Sequence, residues 1–254
     1  MGKNTKNKIA LVTGSSRGIG KAIAQSLEKK GYTVIYHAKS KNSLDFLPSN
    51  SQIFISDFSK PETLFDSYER LYQEVGDIDV LVLNAGIGRP EHFLEEDSYL
   101  EEIININLTA QIVLSQAHLK MHANNLSEGQ LIYISSIAGK ILRPNFPFYS
   151  MTKAAVSHYL KIMSQLYLKH RVRINIISPG SIETDMTKAA VNQFALENDI
   201  TYEQAENELY KNINCQSRLG NVEDVSNMVD FLVSEKSSYL NGEDISLNGG
   251  YKYA

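Results

Sequence analysis

The chain has 254 residues, a formal net charge of −4 at pH 7 and 43% hydrophobic residues. This length fits one α/β domain or two small ones, and the sequence shows no linker-like or repeated stretch, which favours one. The negative charge argues against a broad nucleic-acid-binding surface. Cys215 is the single cysteine, so an intrachain disulfide and a cysteine metal cluster are both excluded.

The first eight residues, "MGKNTKNK", are basic, but the apolar run that follows is only four residues long. Such a run is too short for a signal-peptide core, and no stretch approaches the length of a membrane span. The sequence therefore predicts a cytoplasmic protein that does not associate with membranes.

Predicted strands and helices alternate along the chain. Short apolar runs rich in β-branched residues predict seven strands, at 9–12, 33–37, 53–56, within 77–86, 129–136, 171–180 and 242–250. Helical spacing of apolar residues predicts five helices, at 18–30, 60–76, 98–122, 149–169 and 222–233. The polar stretch after Gly180 is expected to be irregular as far as the last helix. This alternation predicts one α/β domain over 1–254, a Rossmann-like doubly wound parallel sheet with helices on both faces.

Polar or glycine-rich motifs follow five of the predicted strands. They begin at Gly14, Asp57, Asn84, Ser136 and Pro179. In a parallel sheet of this kind, ligands bind outside the carboxyl ends of the strands. We therefore expect these residues to converge on one site.

The turn after the first strand reads "TGSSRGIG", with Gly14, Gly18 and Gly20 in the pattern G-x-x-x-G-x-G. Glycines let the backbone turn tightly and approach a pyrophosphate, which the N–H groups at a helix start favour. The alternative is an ordinary helix start that uses glycine only to turn. The strand–turn–helix context favours a dinucleotide site.

The same stretch also matches G-x-S-x-G, the nucleophile elbow of α/β-hydrolases. A hydrolase elbow needs several strands before it, whereas here the motif follows the first strand. The histidine of a hydrolase triad comes late in the chain, but the last one here is His170. Hydrolysis is therefore disfavoured.

The end of the second predicted strand reads "VIYHAKS" and has no acidic residue before Asp45. Cofactors without a 2′-phosphate are usually held by an acid at this point. Lys39 lies there instead, and Arg17 lies in the glycine turn, so two cations favour a 2′-phosphate. The sequence predicts NADP(H) over NAD(H), with a merely solvated Lys39 as the alternative.

Tyr149 and Lys153 form a Tyr-x-x-x-Lys pair, thirteen residues after Ser136. An ammonium one helical turn away stabilises a phenolate, so this pair can make tyrosine a proton donor near neutral pH. One such pair is expected by chance in a chain with 14 tyrosines. Its position after the glycine turn and Ser136 is what favours catalysis.

Taken in order, these motifs resemble those of the short-chain dehydrogenase/reductase family. The match runs from "TGSSRGIG" through "NAG", "LIYISS", "YSMTK" and "ISPGSIETDM" to "YLNGEDISLNGG", nearly the whole chain. Within the family the sequence is most similar to 3-oxoacyl-acyl-carrier-protein reductases, especially in "RINIISPGSIETDMT".

The resemblance implies four catalytic residues. Tyr149 gives its proton to the carbonyl oxygen as hydride reaches the carbon. Lys153 lowers the pKa of Tyr149 and holds the ribose hydroxyls, and Ser136, rather than the adjacent Ser135, hydrogen-bonds the substrate carbonyl. Asn107 lies at a helix irregularity and holds a water of the proton relay, although its simplest alternative is an ordinary polar helix residue.

The resemblance also implies how NADP(H) binds. Asp57 meets the adenine, with an ordinary helix N-terminal residue as the alternative, and Ile182 and Thr184 contact the nicotinamide amide. No metal is needed, since the hydride comes from the cofactor. The predicted cofactor-binding residues are Gly14, Ser16, Arg17, Gly18, Ile19, Gly20, Lys39, Asp57, Asn84, Ala85, Gly86, Tyr149, Lys153, Pro179, Gly180, Ile182 and Thr184.

The expected activity is NADPH-dependent reduction of a ketone. The favoured substrate is a 3-oxoacyl thioester, in fatty acid biosynthesis. Two features depart from that assignment: "NNLSEGQ", before the fifth strand, has no cation for an acyl carrier protein, and a long segment at 185–216 looks like a substrate lid. The alternatives are another alcohol or ketone, such as a sugar, polyol or hydroxysteroid, and a non-catalytic NADP(H) sensor. The family resemblance also implies a homotetramer or homodimer.

Overall fold

The computed structural model describes residues 7–90, 99–210 and 215–251. Seven strands form one parallel sheet in the order β3-β2-β1-β4-β5-β6-β7. The strands are β1 (Ile9–Val12), β2 (Thr33–Ala38), β3 (Gln52–Ile55), β4 (Val80–Leu83), β5 (Gly129–Ile134), β6 (Val172–Pro179) and β7 (Asp244–Leu247). The predicted strands are confirmed, with ends that differ by a few residues.

Helices connect the strands and cover both faces of the sheet. They are α1 (Gly18–Lys29), α2 (Leu64–Val75), α3 (Tyr99–Ile104), α4 (Ala110–Asn125), α5 (Pro147–Leu166), α6 (Asp185–Asn198), α7 (Tyr202–Leu209) and α8 (Val222–Leu232). Within the described ranges, no helix combines the length and apolar character needed to cross a bilayer.

The alternation of buried side chains along the central strands builds two cores. Ile9 and Leu11 of β1 face the core shared with α2, α4 and α5, while Ala10 and Val12 face the core shared with α1 and α8. All four are buried, because successive side chains of a strand point to opposite faces and both faces here are covered. This arrangement confirms the predicted doubly wound α/β fold.

The order of the strands reverses between β1 and β4, since β1 pairs with β2 on one side and β4 on the other. The connections from these two strands therefore diverge to opposite faces and leave a crevice at the carboxyl ends. The glycine turn follows β1, and Asn84 follows β4. The predicted site thus lies at the topological switch point of the sheet.

The helix predicted at 98–122 is interrupted by a π-helical segment, Asn105–Thr109, between α3 and α4. This is the helix irregularity that the resemblance implied at Asn107. A π-helical turn inserts an extra residue and often lies at a functional site. The predicted start at Ser98 lies outside the described residues.

The expectation of irregular chain after Gly180 is wrong, because this stretch contains α6 and α7. The two helices pack on each other through a small separate core of Val191, Ala195, Ala205 and Tyr210. Few apolar residues make that core, so the helical period was hidden among polar residues. Two side-chain caps define the helix starts: Thr184 accepts from Thr187 N at 3.4 Å, and Thr201 forms a capping box with Gln204.

Candidate active site

A cleft of about 870 Å³ opens along the carboxyl ends of the strands. All of the predicted cofactor-binding residues line it, and so do Ser136, Tyr149 and Lys153. Asn107, the remaining predicted catalytic residue, is fully buried and contacts the loop after β4. The structure therefore brings the predicted residues together in one place.

The glycine turn forms the floor of one half of the cleft. Gly14 and Gly18 have φ angles of +63° and +54°, in the left-handed region that favours glycine. A Cβ at Gly20 would lie 2.5 Å from Nδ2 of Asn84 and closer still to the carbonyl of Gly14. That amide in turn donates to the carbonyl oxygen of Thr13 at 2.9 Å. The turn thus leaves space where only backbone is tolerated, which fits a pyrophosphate approaching the N-terminus of α1.

His37 holds this turn in place, and the sequence reasoning missed it. Its Nδ1 accepts from the N–H of Gly14 at 2.9 Å, and its Nε2 lies 3.1 Å from the carbonyl oxygen of Ser56. The ring also stacks on Phe58, with centroids 4.3 Å apart. Burial lowers the pKa of His37 to about 4, so the ring is neutral at physiological pH and carries its proton on Nε2. A histidine at the end of the second strand was the only signal in the sequence.

Each of the two predicted phosphate-binding cations has a carboxylate partner. Lys39 Nζ lies 3.1 Å from Asp57 Oδ2, and Arg17 Nη1 lies 3.3 Å from Asp185 Oδ2. The sequence alone did not show these partners, because both acids come later in the chain than the cations. Both cationic side chains are more than 70% exposed, and exposed pairs are weak enough to exchange for a phosphate.

Ser136 and Tyr149 approach each other across the other half of the cleft. Ser136 caps a short 3-10 turn, where its Oγ accepts from Ala138 N at 3.1 Å, and its side chain is hydrogen-bonded to Tyr149. Ser135, by contrast, lies 2.8 Å, hydroxyl to hydroxyl, from Ser157 in the interior. The thirteen-residue spacing therefore selects the serine that contacts Tyr149.

Lys153 and Asn107 meet below Gly86. A Cβ at Gly86 would lie 3.3 Å from Asn107 Oδ1 and 3.6 Å from Lys153 Nζ. Lys153 is only 4% exposed and donates to the carbonyl oxygen of Ile134 at 2.9 Å. The Asn107 amide bridges the backbone of Ile87, accepting from its N–H at 2.8 Å and donating to its carbonyl at 2.7 Å. Asn107 thus fixes the loop after β4, a contact that the sequence did not suggest.

Burial dominates the pKa values of Tyr149 and Lys153 in the structure. Burial raises the pKa of Tyr149, and the hydrogen bond with Ser136 and the charge of Arg143 oppose that rise. Burial also lowers the pKa of Lys153 to about 7. The ammonium lies 5.6 Å from the centroid of the Tyr149 ring and is only partly charged at neutral pH. Ser136 and Arg143 thus oppose the rise that burial causes in the pKa of Tyr149, and the lowering assigned to Lys153 stays a prediction.

The open end of the cleft, beyond Tyr149, is lined by residues that the sequence reasoning did not single out. A Cβ at Gly88 would lie 2.9 Å from Tyr149 Cδ2, so the loop after β4 packs directly on the ring. The ring of Phe146 contacts Tyr149 with centroids 6.3 Å apart. Met186 of α6 and Arg143 complete this wall. None of these belongs to a spaced motif, so a single sequence gave no signal for them.

The protein has a doubly wound sheet with a glycine turn at its switch point and a Ser–Tyr–Lys cluster beside that turn. This combination is typical of an α/β oxidoreductase that uses a dinucleotide cofactor. The comparisons with known proteins agree. Residues 8–195 match the family model described as short chain dehydrogenase, and the chain belongs to this family. Its enzymes are oxidoreductases that act on CH–OH or C=O groups with a nicotinamide cofactor.

Curated relatives match over almost the whole chain. The 3-oxoacyl-acyl-carrier-protein reductase FabG of Escherichia coli is 32% identical over 252 residues, which cover 97% of this chain and 98% of that one. The protein of the same name from Vibrio harveyi is 34% identical over 252 residues, with the same coverage of both chains. Among solved structures, a short-chain type dehydrogenase/reductase from Mycobacterium marinum is 27% identical, covers 97% of this chain and 96% of its own, and superposes with a TM-score of 0.84.

Proposed function

We propose that the protein is an NADPH-dependent carbonyl reductase in which Tyr149 donates the proton. The convergence of Ser136, Tyr149 and Lys153 beside the glycine turn supports this proposal most directly. Bound along the cleft, the nicotinamide cofactor supplies the hydride. Ser136 then donates a hydrogen bond to the substrate carbonyl oxygen, and the Tyr149 hydroxyl protonates that oxygen as it gains charge.

Lys153 and Asn107 support the proton transfer. Lys153 lies one helical turn beyond Tyr149 on α5, with its ammonium beneath Gly86, where it reaches the predicted path of the ribose hydroxyls. Partial charge at neutral pH suits it to passing a proton onward, since its pKa of about 7 is close to the ambient pH. We assign Asn107 to the water relay through which Tyr149 regains its proton.

The proposed preference for NADPH follows from the residues at the end of the cleft near β2. The end of β2 lacks an acid, and Lys39 and Arg17 flank the place where a 2′-phosphate would lie. We expect Lys39→Ala to weaken NADPH binding about tenfold and leave NADH binding nearly unchanged, because one charge-assisted contact to the phosphate is lost. Fluorescence titration of both cofactors measures this. Equal losses for the two cofactors would mean that Lys39 does not contact the 2′-phosphate.

The substrate class that we test first is a 3-oxoacyl thioester, because FabG proteins align with this chain over almost its full length. Docking of an acyl carrier protein is less well supported. Arg171, just beyond the catalytic helix, lies 3.1 Å from Glu128, the acid in the stretch before β5 that has no cation. A location in the cytoplasm and a role in fatty acid biosynthesis belong to the same proposal.

A second candidate is reduction or oxidation of another ketone or alcohol, such as a sugar, polyol or hydroxysteroid. The segment of α6 and α7 favours it, because Met186 and Gln193 of α6 and Tyr210, directly after α7, line the cleft as a lid would. An aldohexose dehydrogenase from Thermoplasma acidophilum is 26% identical, covers 96% of this chain and 94% of its own, and superposes with a TM-score of 0.84. A non-catalytic NADP(H) sensor is the third candidate, disfavoured by the complete catalytic set.

The test is oxidation of NADPH with an acetoacetyl thioester beside a panel of simple ketones, with NADH as the control cofactor. We expect turnover with NADPH, and we expect Tyr149→Phe to lower kcat at least a thousandfold while NADPH still binds. Substantial turnover by Tyr149→Phe would remove Tyr149 as the acid. Tight NADPH binding without turnover of any carbonyl would favour the sensor.

A further inference from the structure

Arg143 lies in the loop between β5 and α5, half-buried at the open end of the cleft. Its Nη1 donates to the hydroxyl of Tyr251 at 2.8 Å, and its guanidinium lies 5.9 Å from the centre of that ring. Its charge also acts on Tyr149 and on Tyr210, opposing the burial that raises the pKa of each. A cation is thus held among three tyrosines, next to the group that we assign as the acid.

No carboxylate within the described ranges pairs with Arg143, whereas three other arginines do have acidic partners. Arg17, Arg171 and Arg218 lie 3.3, 3.1 and 2.9 Å from a carboxylate oxygen. All three of these are exposed. Arg17 lines the half of the cleft at the glycine turn, whereas Arg143 lines the part near Tyr149. A guanidinium that is partly removed from water without a counter-ion is costly. An anion that enters the cleft beside Arg143 would offset that cost.

The shape of the guanidinium narrows the kind of anion. Arginine presents five donors in a planar fork that matches the two oxygens of a carboxylate. The hydroxyl of Tyr251 accepts from Nη1 at 2.8 Å, and this bond orients the fork. Arg143 and Tyr149 line the same cleft. Phe146, whose N–H donates to the carbonyl oxygen of Arg143 at 2.9 Å, contacts the Tyr149 ring. An anion bound by Arg143 therefore lies near the carbonyl group that Tyr149 protonates.

We propose that the substrate is a ketone that carries a carboxylate close to its carbonyl group, and that Arg143 binds that carboxylate. The inference rests on the proposed reductase function and narrows its substrate class. The reaction remains balanced as before: the ketone gains a hydride from the cofactor and a proton from Tyr149, and the carboxylate is unchanged. A thioester on a long neutral arm has no anion at this position unless its acyl chain carries one.

The test compares each oxo acid with its methyl ester, which keeps the ketone and removes the charge. Acetoacetate and 4-oxopentanoate with their methyl esters are the probes, assayed with NADPH. We expect kcat/KM to favour the acids, and we expect Arg143→Met to lower the acid-to-ester ratio about 10- to 100-fold, the range of one charge-assisted pair. Arg143→Lys should restore part of the ratio, and Arg70→Met, an exposed arginine on α2, should not change it.

The ratio separates binding of the carboxylate from a general effect on catalysis. Loss of Arg143 also changes the surroundings of Tyr149, but that change acts on acid and ester alike and cancels in the ratio. An unchanged ratio in Arg143→Met would overturn the inference while leaving the reductase proposal intact.

A binding measurement covers the case in which no carbonyl is turned over. Calorimetric titration of 3-hydroxybutyrate into the NADP⁺-loaded protein is expected to show binding that Arg143→Met weakens at least tenfold. That result without any turnover would support the anion site and contradict the reductase function. Equal binding by wild type and variant would overturn the anion site by itself.

Discussion

Burial of the Lys153 ammonium lowers the stability of the fold. In the unfolded chain its pKa is the ordinary 10.5, and in the fold it is about 7. Between these values the unfolded chain holds a proton that the folded chain lacks, so stability rises with pH across this window. Below it, the ammonium is charged in both states and the full penalty of burial acts.

Lys153→Met should therefore raise the free energy of unfolding by a few kcal/mol near pH 6, since methionine has similar length and no charge. The gain should shrink as the pH approaches about 10, where the unfolded lysine also loses its proton. Denaturant titrations at the two pH values measure it, and activity should be lost at both. A gain that is equal at the two pH values would show that packing, not charge, causes it.

Site residues that stand at a fixed spacing along the chain could be predicted from the sequence. The groups that each side chain faces could not. The proximity of Ser136 and Tyr149 could be predicted, because one follows a strand and the other begins a helix at a fixed spacing. His37 and Arg143 could not, because their roles depend on what they face: the N–H of Gly14 in one case, the open end of the cleft in the other. The carboxylate partners of Lys39 and Arg17 were hidden for the same reason, since Asp185 is 168 residues from Arg17.

At the scale of elements, α6 and α7 form a unit distinct from the main sheet. Their apolar residues pack in a small core of their own rather than in either large one. Because so few buried side chains hold this unit, we expect it to have low local stability and to open independently of the rest. This packing is the physical basis for treating 185–216 as a lid, although residues 211–214 of that segment lie outside the described ranges.

One substitution made in two places tests the lid. Val191 of α6 and Val229 of α8 are both fully buried, the first in the small core and the second in a main core. Val229→Ala should lower the free energy of unfolding by about 2 kcal/mol, because it opens a cavity in the cooperative core. Val191→Ala should leave global stability nearly unchanged but raise KM and speed proteolysis within the lid. Equal losses of stability would show that α6 unfolds with the whole domain.

The sequence predicted the central strands better than the region after β6, and burial explains why. Strands covered on both faces read as short, continuous apolar runs, such as Val80–Leu83. Helix α6 buries only Val191 and Ala195, so its apolar period is too weak to read. The π-helical segment was expected from the family resemblance alone, because its residues have no distinctive composition.

At the scale of the whole molecule, α5 carries an apolar surface that one chain leaves exposed. The sequence predicts an apolar face of this helix that packs on a second copy or on the core, made of Ala155, Tyr159, Met163, Leu166 and Tyr167. Three of these, Tyr159, Met163 and Tyr167, pack partly against the core. Leu166 and the neighbouring Ile162 are 59% and 46% exposed. Apolar side chains grouped on one long helix favour a symmetric contact with a second copy.

We therefore predict a homotetramer or homodimer, with a mass by light scattering two or four times the 28.5 kDa of one chain. Ile162→Glu should reduce that mass, because a charge buried between two identical helices meets its own copy and lacks a partner. Leu196→Glu, on the 84% exposed side chain of α6, is the matched control and should not change the mass. A wild-type mass near that of one chain would contradict the assembly, and the exposed face of α5 would then require another explanation.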